Sequence, residues 1–402
     1  MAKVFVAPSL GPEELRVLER IDLLRDQLRH RMSDPRRWQG RLRRMALARA
    51  IQGSNSIEGY DATIEEVDAI AAGEEPLDVD SETALALTGY RDAMTYVLQM
   101  AGDHDSVLDE GQLKALHFMM IKHDLAKHPG QWRPGPVYVR REQTGAIVYE
   151  GPPRERVPGL VAAMLSQINA GEGPVLIRAA MAHLNLAMIH PFSDGNGRLA
   201  RCLQTLVLAR EQIVSPVFSS IEEYLGQNTQ AYYDVLAQVG QGAWHPDNDA
   251  VPWIRFCLTA PFRQATTHLK RIARSEDLWI RCLEIAEREG LPERVVGPLA
   301  DAAFQFRLRN SSYRELVRIT GAEEISELTA SRDLKLLVGK GLLLPVGQTR
   351  ARHYIASDEL RAVWTAVRET QPMTINPPPT RTAARSAADA GPKRQKIGRA
   401  HV

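Results

Sequence analysis

The stretch HPFSDGNGRLAR, residues 190–201, follows directly on the apolar run VLIRAAMAHLNLAMI at 175–189. The run has the composition of a buried helix, and Pro191 stops it, so His190 is delivered at its end. Gly195, Asn196 and Gly197 then allow a tight turn, because glycine takes positive φ without penalty and asparagine nearly so. A second helix is expected from about Gly197 to Arg210. Its free N–H groups face the turn and form an anion site. Arg198 and Arg201 stand three residues apart and share a face near its start. Two guanidinium forks beside such a site suit a di- or triphosphate better than one phosphate.

An acid among phosphates needs a cation between them. Asp194 with Mg²⁺ meets that need, since Mg²⁺ takes carboxylate and phosphate oxygens together. His190 has an ordinary pKa near neutrality and suits removal of a proton from an incoming hydroxyl. Base, metal ligand, anion cradle and charge clamps together make a phosphoryl or nucleotidyl transfer site. Phe192 is expected to anchor the loop in the core. Piece by piece, the same residues also read as a helix cap, a glycine turn and an Asp194–Arg198 ion pair without chemical duty.

The rest of the chain supplies the setting. Its 402 residues allow two or three domains, and 50 basic against 49 acidic side chains, a net charge of +1, give no global pull toward nucleic acid or membrane. Cys202, Cys257 and Cys282 lie far apart without metal-ligand spacing, and read as core thiols in a reducing cytosol. The opening MAKVFVAPSL is too short in apolar residues for a secretory signal. Later apolar runs are interrupted by charges or histidines. The expectation is a cytoplasmic protein with no membrane span.

Helical periodicity dominates, with helices expected at 12–32, 38–53, 80–101, 107–123, 154–170, 174–189, 219–239, 250–273 and 276–289. DATIEEVDAIAAG, at 61–73, reads as another, capped by Asp61 or Thr63. Val137–Arg141 and Ala146–Tyr149, around EQTG, read as a β-hairpin. Residues 310–356 run helix, turn, helix, hairpin, the order of a winged helix. There Thr329 is a cap candidate, and Ser331, Arg332 and Lys335, with Arg350, Arg352 and His353 on the wing, would face DNA phosphates. Asp333 on the same helix, with Glu323, Glu324 and Glu327 before it, leaves the charge weak for that duty, so protein contact or plain support is expected. The tail has almost no large apolar residues, is basic, and is expected to be disordered.

Residues 190–201 match without a gap the signature His-x-Phe-x-(Asp/Glu)-Gly-Asn-Gly-Arg-x-x-Arg, and by it the chain resembles the Fic family. The resemblance covers roughly 40–360. It implies a mainly α fold, a Fic-type helical core with a β-hairpin flap. It implies transfer of AMP from ATP to a Ser, Thr or Tyr hydroxyl of a target protein, with release of pyrophosphate. His190 would deprotonate the hydroxyl and Asp194 would hold Mg²⁺. Gly195, Asn196 and Gly197 would cradle the phosphates, with Asn196 near the α-phosphate, and Arg198 and Arg201 would hold the distal ones. Family members that phosphorylate their target carry lysine at the position of Gly195; glycine here favours nucleotidyl transfer. The hairpin region, 132–153, resembles the flap that pairs with a target's backbone.

Upstream, SNSIEG at 54–59 resembles the family's inhibitory motif, (Ser/Thr)-x-x-x-Glu-(Gly/Asn), through Ser54, Glu58 and Gly59. Glu58 would pair with Arg201 and take the guanidinium needed by the γ-phosphate. The expected division is therefore an N-terminal helical region at 1–105 carrying this motif, a catalytic core at 106–275, a linker helix and winged helix at 276–366, and a disordered basic tail at 367–402. The target could be a second protein or the chain itself, and the chain could pair as a homodimer. Three alternatives stay open: another nucleotide or diphosphate-activated donor, removal of AMP rather than its addition, and a winged-helix DNA-binding regulator whose Fic domain is catalytically quiet.

Overall fold

The computed structural model describes residues 2–33, 36–76, 78–103, 107–141, 144–210, 218, 220–348 and 352–370. In chain order the elements are α1 (Pro12–Ser33), α2 (Gln39–Ile57), α3 (Ile64–Ala71), α4 (Ser81–Met100), α5 (Glu110–Ile121), β1 (Tyr138–Arg140), β2 (Ile147–Glu150), α6 (Val157–Ala170), α7 (Val175–Ile189) and α8 (Asn196–Ala209). Then come α9 (Glu222–Gln227), α10 (Thr229–Gly240), α11 (Val251–Arg288), α12 (Val296–Ala303), α13 (Asn310–Ile319), α14 (Glu327–Gly339), β3 (Leu343–Val346), β4 (His353–Ala356) and α15 (Asp358–Thr370). The fold is mainly α, with two two-stranded antiparallel sheets, β1–β2 and β3–β4.

Local chemistry explains the helix starts. Thr63 caps α3 in a reciprocal box with Glu66, and Asp109 caps α5 in the same way with Gln112. Asp80 accepts from Thr83 N at 2.9 Å at the start of α4. α7 is apolar around almost its whole circumference, which fits a helix enclosed by others, and α8 packs along it. Trp253 of α11 is fully buried and donates its indole N–H to Ala180 O at 2.7 Å, locking α11 onto α7. The first residues are also part of this core. Phe5 is buried, and its backbone N–H and C=O bond the amide of Asn185 at 2.9 and 3.0 Å.

Two compact units emerge among the described residues: those up to Asp26 with Leu47–Ala265, and Gln27–Ala46 with the stretch from Thr266 to Thr370. This grouping departs from the linear boundaries expected, because 27–46 belongs with the C-terminal module and α11 runs unbroken through 275. The polar sequence at 274–276 continues the helix rather than ending it; polarity alone does not break a helix where no glycine or proline intervenes. Expected helix 219–239 is instead two, α9 and α10, divided at Asn228.

The second unit holds its own core around Leu299, Leu316, Leu334, Leu337 and Leu360. Its order after α12 is helix, helix, hairpin, and then α15, which sequence reading lacked. Val367 is buried on α15, so the helix continues to Thr370, past the boundary set at 366. Ser326, not Thr329, caps α14 by accepting from Thr329 N at 3.1 Å. Asp333 faces inward, with Arg294 donating to both its oxygens at 2.8 and 2.9 Å and Tyr313 donating at 3.0 Å. It adds no charge to the helix's outer face. Arg350 and the expected tail from 371 onward lie outside the described residues.

Candidate active site

α7 ends at Ile189, and His190 is its cap in the left-handed region, φ 50 and ψ 57, with its N–H bonded to Leu186 O at 3.0 Å. For a residue with a Cβ this conformation is costly and persists only where neighbours hold it. The turn it makes sends Pro191–Asp194 across the start of α8. Gly195 caps α8 at φ 74. A Cβ there would also stand 2.8 Å from Ile121 Cδ1, so both conformation and space require glycine.

The loop is held from beneath. Phe192 is fully buried and stacked on His117, with ring centroids 3.7 Å apart and planes 8° from parallel, and Trp132 tilts against it at 4.9 Å. His117 bridges two backbones: Gly130 N–H donates to Nδ1 at 2.8 Å, and Nε2 stands 2.9 Å from Asp194 O. Since Nδ1 accepts, Nε2 must carry the hydrogen that goes to the carbonyl. Burial lowers the His117 pKa to about 4, with Arg198 adding to the effect, so this neutral tautomer is secure.

Asn196 braces the loop. Its Oδ1 accepts from Phe192 N and its Nδ2 donates to Phe192 O, both at 2.9 Å. Its second Nδ2–H is not used by these bonds.

His190 presents its chemistry cleanly. Nδ1 lies 3.1 Å from Ala187 O, and a carbonyl only accepts, so Nδ1 carries the hydrogen and Nε2 keeps the lone pair. Burial, reinforced by Arg133, lowers its pKa to about 4, against the pull of the Ala187 hydrogen bond and the Glu58 and Asp194 carboxylates. A neutral imidazole with a free Nε2 is what a proton acceptor needs.

The arginines are buried and incompletely partnered. Arg198 is 1% exposed, and its Nε and Nη1 have no hydrogen-bond partner. Its guanidinium lies over Tyr60 at 5.2 Å, and Nη2 is 4.0 Å from Asp194 Oδ1, an ion pair too long to be a hydrogen bond. Arg198 and Asp194 line a cavity of about 270 Å³ with Tyr60, His123, Asp124 and Lys127. Arg201 donates Nε–H to Ser54 Oγ at 2.8 Å and Nη2–H to Ser54 O at 3.0 Å and Glu58 Oε1 at 2.6 Å, while Nη1 has no partner. Burial opposes its charge, but the Glu58 carboxylate and the Tyr232 and Tyr90 phenols offset this and raise its pKa above the ordinary arginine value. Unsatisfied buried guanidinium N–H groups are costly, and they point to an anion that completes the site.

Glu58 occupies part of that site. α2 continues to Ile57, beyond the expected end at 53, so Ser54 lies on the helix, and Glu58 and Gly59 form its terminal turn, Gly59 at φ 83. A Cβ on Gly197 would stand 2.6 Å from Glu58 Oε1. The carboxylate thus sits at the N-terminus of α8, where an anionic oxygen is favoured. Ser54, Glu58, Gly59, Asp194, Gly195, Asn196, Gly197, Arg198 and Arg201 all converge at this one place, with His190 beside them. Sequence reading missed His117, Tyr60 and Arg133: Tyr60 falls just past the 54–59 motif, Arg133 sits inside the hairpin region without being singled out, and His117 has no motif around it.

The helical core thus sets an imidazole, a carboxylate and two buried arginines at a glycine-led helix start, where an anion is favoured. Residues 107–208 match the Fic/DOC family model. It is 28% identical over 243 residues to a protein adenylyltransferase Fic of Aedes aegypti, a match covering 59% of this chain and 44% of that one. A protein of the same name from Nematostella vectensis is 26% identical over 232 residues, 54% of this chain and 48% of that one. The match spans less than half the length of either relative. Among solved structures, a Fic family protein from Desulfovibrio desulfuricans superposes with a TM-score of 0.55 at 22% identity, covering 88% of this chain and 98% of that one. Fic-1 of C. elegans does so with 0.53 at 20% identity, covering 64% and 72%. The fold is that of the Fic family.

Proposed function

We propose that the protein is an adenylyltransferase that moves AMP from ATP to a Ser, Thr or Tyr hydroxyl of a protein, and that Glu58 restrains it. The observation that carries this reading is the Glu58 carboxylate seated at the α8 N-terminus against Arg201, beside guanidinium nitrogens of Arg198 and Arg201 that lack partners. A carboxylate oxygen there stands in for a terminal phosphate oxygen.

In the transfer, His190 Nε2 accepts the hydroxyl proton as the oxygen bonds to the α-phosphorus. The bond from that phosphorus to the bridging oxygen of the β-phosphate breaks, and pyrophosphate leaves. The backbone N–H groups of Asn196 and Gly197, with Arg198 and Arg201, hold the charge that builds on the leaving group. Asp194, partly exposed at the cavity with one oxygen bonded to Gly195 N at 2.6 Å, fits Mg²⁺ that is shared with phosphates; no cluster of three ligating side chains is present among the described residues, and such an ion does not need one. When bound, Mg²⁺ would offset phosphate charge.

β1–β2 supports the peptide end of the reaction. The outer edge of β1 has no ladder partner among the described residues, and a strand added to it would present its hydroxyl in extended form. No described helix is long and apolar enough to cross a membrane. The three cysteines are free and buried, consistent with the expected cytoplasmic setting.

The test uses the purified chain and its Glu58→Gly variant with each α-labelled nucleotide, Mg²⁺ and a cell lysate. Label on protein from ATP, stronger with Glu58→Gly, is the expected result. Label from another nucleotide alone would replace the donor, and loss of pre-attached label would reverse the reaction.

A further inference from the structure

Four carbonyls at the end of α7 are taken by groups that bear on catalysis. Ala187 O receives Nδ1–H of His190. Met188 O receives the hydroxyl of Tyr149 at 2.7 Å. His190 O receives Nε–H of Arg133 at 2.9 Å, and Pro191 O receives the backbone N–H of Arg133 at 2.9 Å. A helix leaves its last carbonyls without donors of its own. Here the donors beyond the imidazole come from the β1–β2 hairpin and the segment leading into it.

Arg133 reaches further. Its Nη1 donates to Gly135 O and its Nη2 to Pro152 O, main-chain groups that precede β1 and follow β2. One guanidinium therefore joins both feet of the hairpin to the backbone of His190. The side chain is 0% exposed, and all its hydrogen bonds go to carbonyls rather than to a carboxylate. Burying a cation this way is expensive, offset in part by the negative end of α7. A hairpin this short is marginal alone and gains from an anchor, and this anchor falls on the backbone of His190 itself. Tyr149 is buried too, on the β2 position paired with Val139.

We propose that Arg133 and Tyr149 are positioning residues that register the hairpin, and a peptide strand paired with it, against the imidazole of His190. The inference rests on the adenylyltransferase reading above. Transfer to a protein requires the hydroxyl oxygen near Nε2 and in line with the α-phosphorus, and a 1 Å displacement costs roughly 10²-fold. Water, which finds its own place, needs no registered hairpin. The signature of this role is a split between two acceptors for the same AMP group.

The experiment compares Glu58→Gly with Glu58→Gly/Tyr149→Phe and Glu58→Gly/Arg133→Gln. AMP transfer from α-labelled ATP to lysate protein is measured beside hydrolysis of ATP to AMP without added protein, Mg-ATP affinity and melting temperature. Tyr149→Phe deletes one oxygen and keeps the ring, so it tests the tie even if Arg133→Gln fails to fold. Expected are protein transfer slower by about tenfold for Tyr149→Phe and about a hundredfold for Arg133→Gln, with hydrolysis and affinity changed less than about twofold. Transfer at the parent rate, or transfer and hydrolysis falling together, overturns the proposal. If Glu58→Gly itself puts no AMP on protein, the adenylyltransferase reading falls, and this inference with it.

Discussion

Glu58 Oε1 lies 2.6 Å from Nη2 of Arg201, a residue 143 positions later in the chain. The arginine is fully buried and the glutamate side chain is 19% exposed, so the pair is shielded on one side and reachable on the other. Removing the carboxylate leaves that guanidinium with Ser54 and the ring of Tyr232 and opens the helix start to an anion. Glu58→Gly is expected to raise AMP transfer about ten- to a hundredfold, equivalent to roughly 1.4–2.7 kcal/mol in barrier. Unchanged initial rates from a variant with a parent-like melting curve would remove the restraint.

His190→Ala in the Glu58→Gly background is expected to lose transfer while still binding Mg-ATP, measured by calorimetry, because the cradle belongs to other residues. With the His190 pKa at about 4, the imidazole is already a base at neutral pH. The rate should therefore stay level from about pH 8 to pH 6, rather than falling with a midpoint near the ordinary histidine value of about 6.5. Transfer by His190→Ala at the parent rate would assign the base elsewhere.

Gly195→Ala combines two penalties, a left-handed backbone and a methyl 2.8 Å from Ile121 Cδ1. Together they should lower stability by about 2–4 kcal/mol in urea unfolding. Adding Ile121→Val removes the opposing methyl and should recover the packing share but not the backbone share. Full recovery would mean that the φ of 74 carries no cost.

His117 and His183 tie stability to pH. His183 stands 2.6 Å from Gln204 Oε1 and 2.9 Å from Tyr232 O–H, and burial lowers its pKa to about 3. His117 is lowered to about 4. Both fold as neutral imidazoles, whereas the unfolded chain protonates them near 6.5. Between about 6.5 and the folded values the unfolded state binds more protons, so stability falls as pH falls, by about 1.4 kcal/mol per pH unit for each histidine. His183→Gln should lower stability at pH 7.5 and flatten that slope by one histidine's share. An unchanged slope would show that His183 does not carry it.

Much of the site is local and was legible. The glycine turn, the end of α7 at Pro191 and the shared face of Arg198 and Arg201 follow from backbone preferences over a dozen residues. The helices were legible for the same reason, through caps such as Thr63 and Asp109 and through apolar spacing. Boundaries failed where neither signal is sharp: α2 runs on through Ser54, α11 passes 275 unbroken, and α15 holds Val367 beyond the expected end.

Asn196 marks a subtler limit. Its side chain braces its own loop, and sequence does not show this, since any role beside glycine would ask for the same small amide; the bonds to Phe192 do.

What the sequence determined by itself is the reactive loop, because φ preference, helix period and residue chemistry act between near neighbours. The motif at 54–59 was readable, but its 2.6 Å approach to Arg201 belongs to the tertiary structure. So do the stacking of His117 under Phe192 and the ties from Arg133 and Tyr149. Those two bond to backbone carbonyls, which every residue carries, so no pattern of side chains announces the partner. Packing chooses it, by bringing one particular helix end within reach.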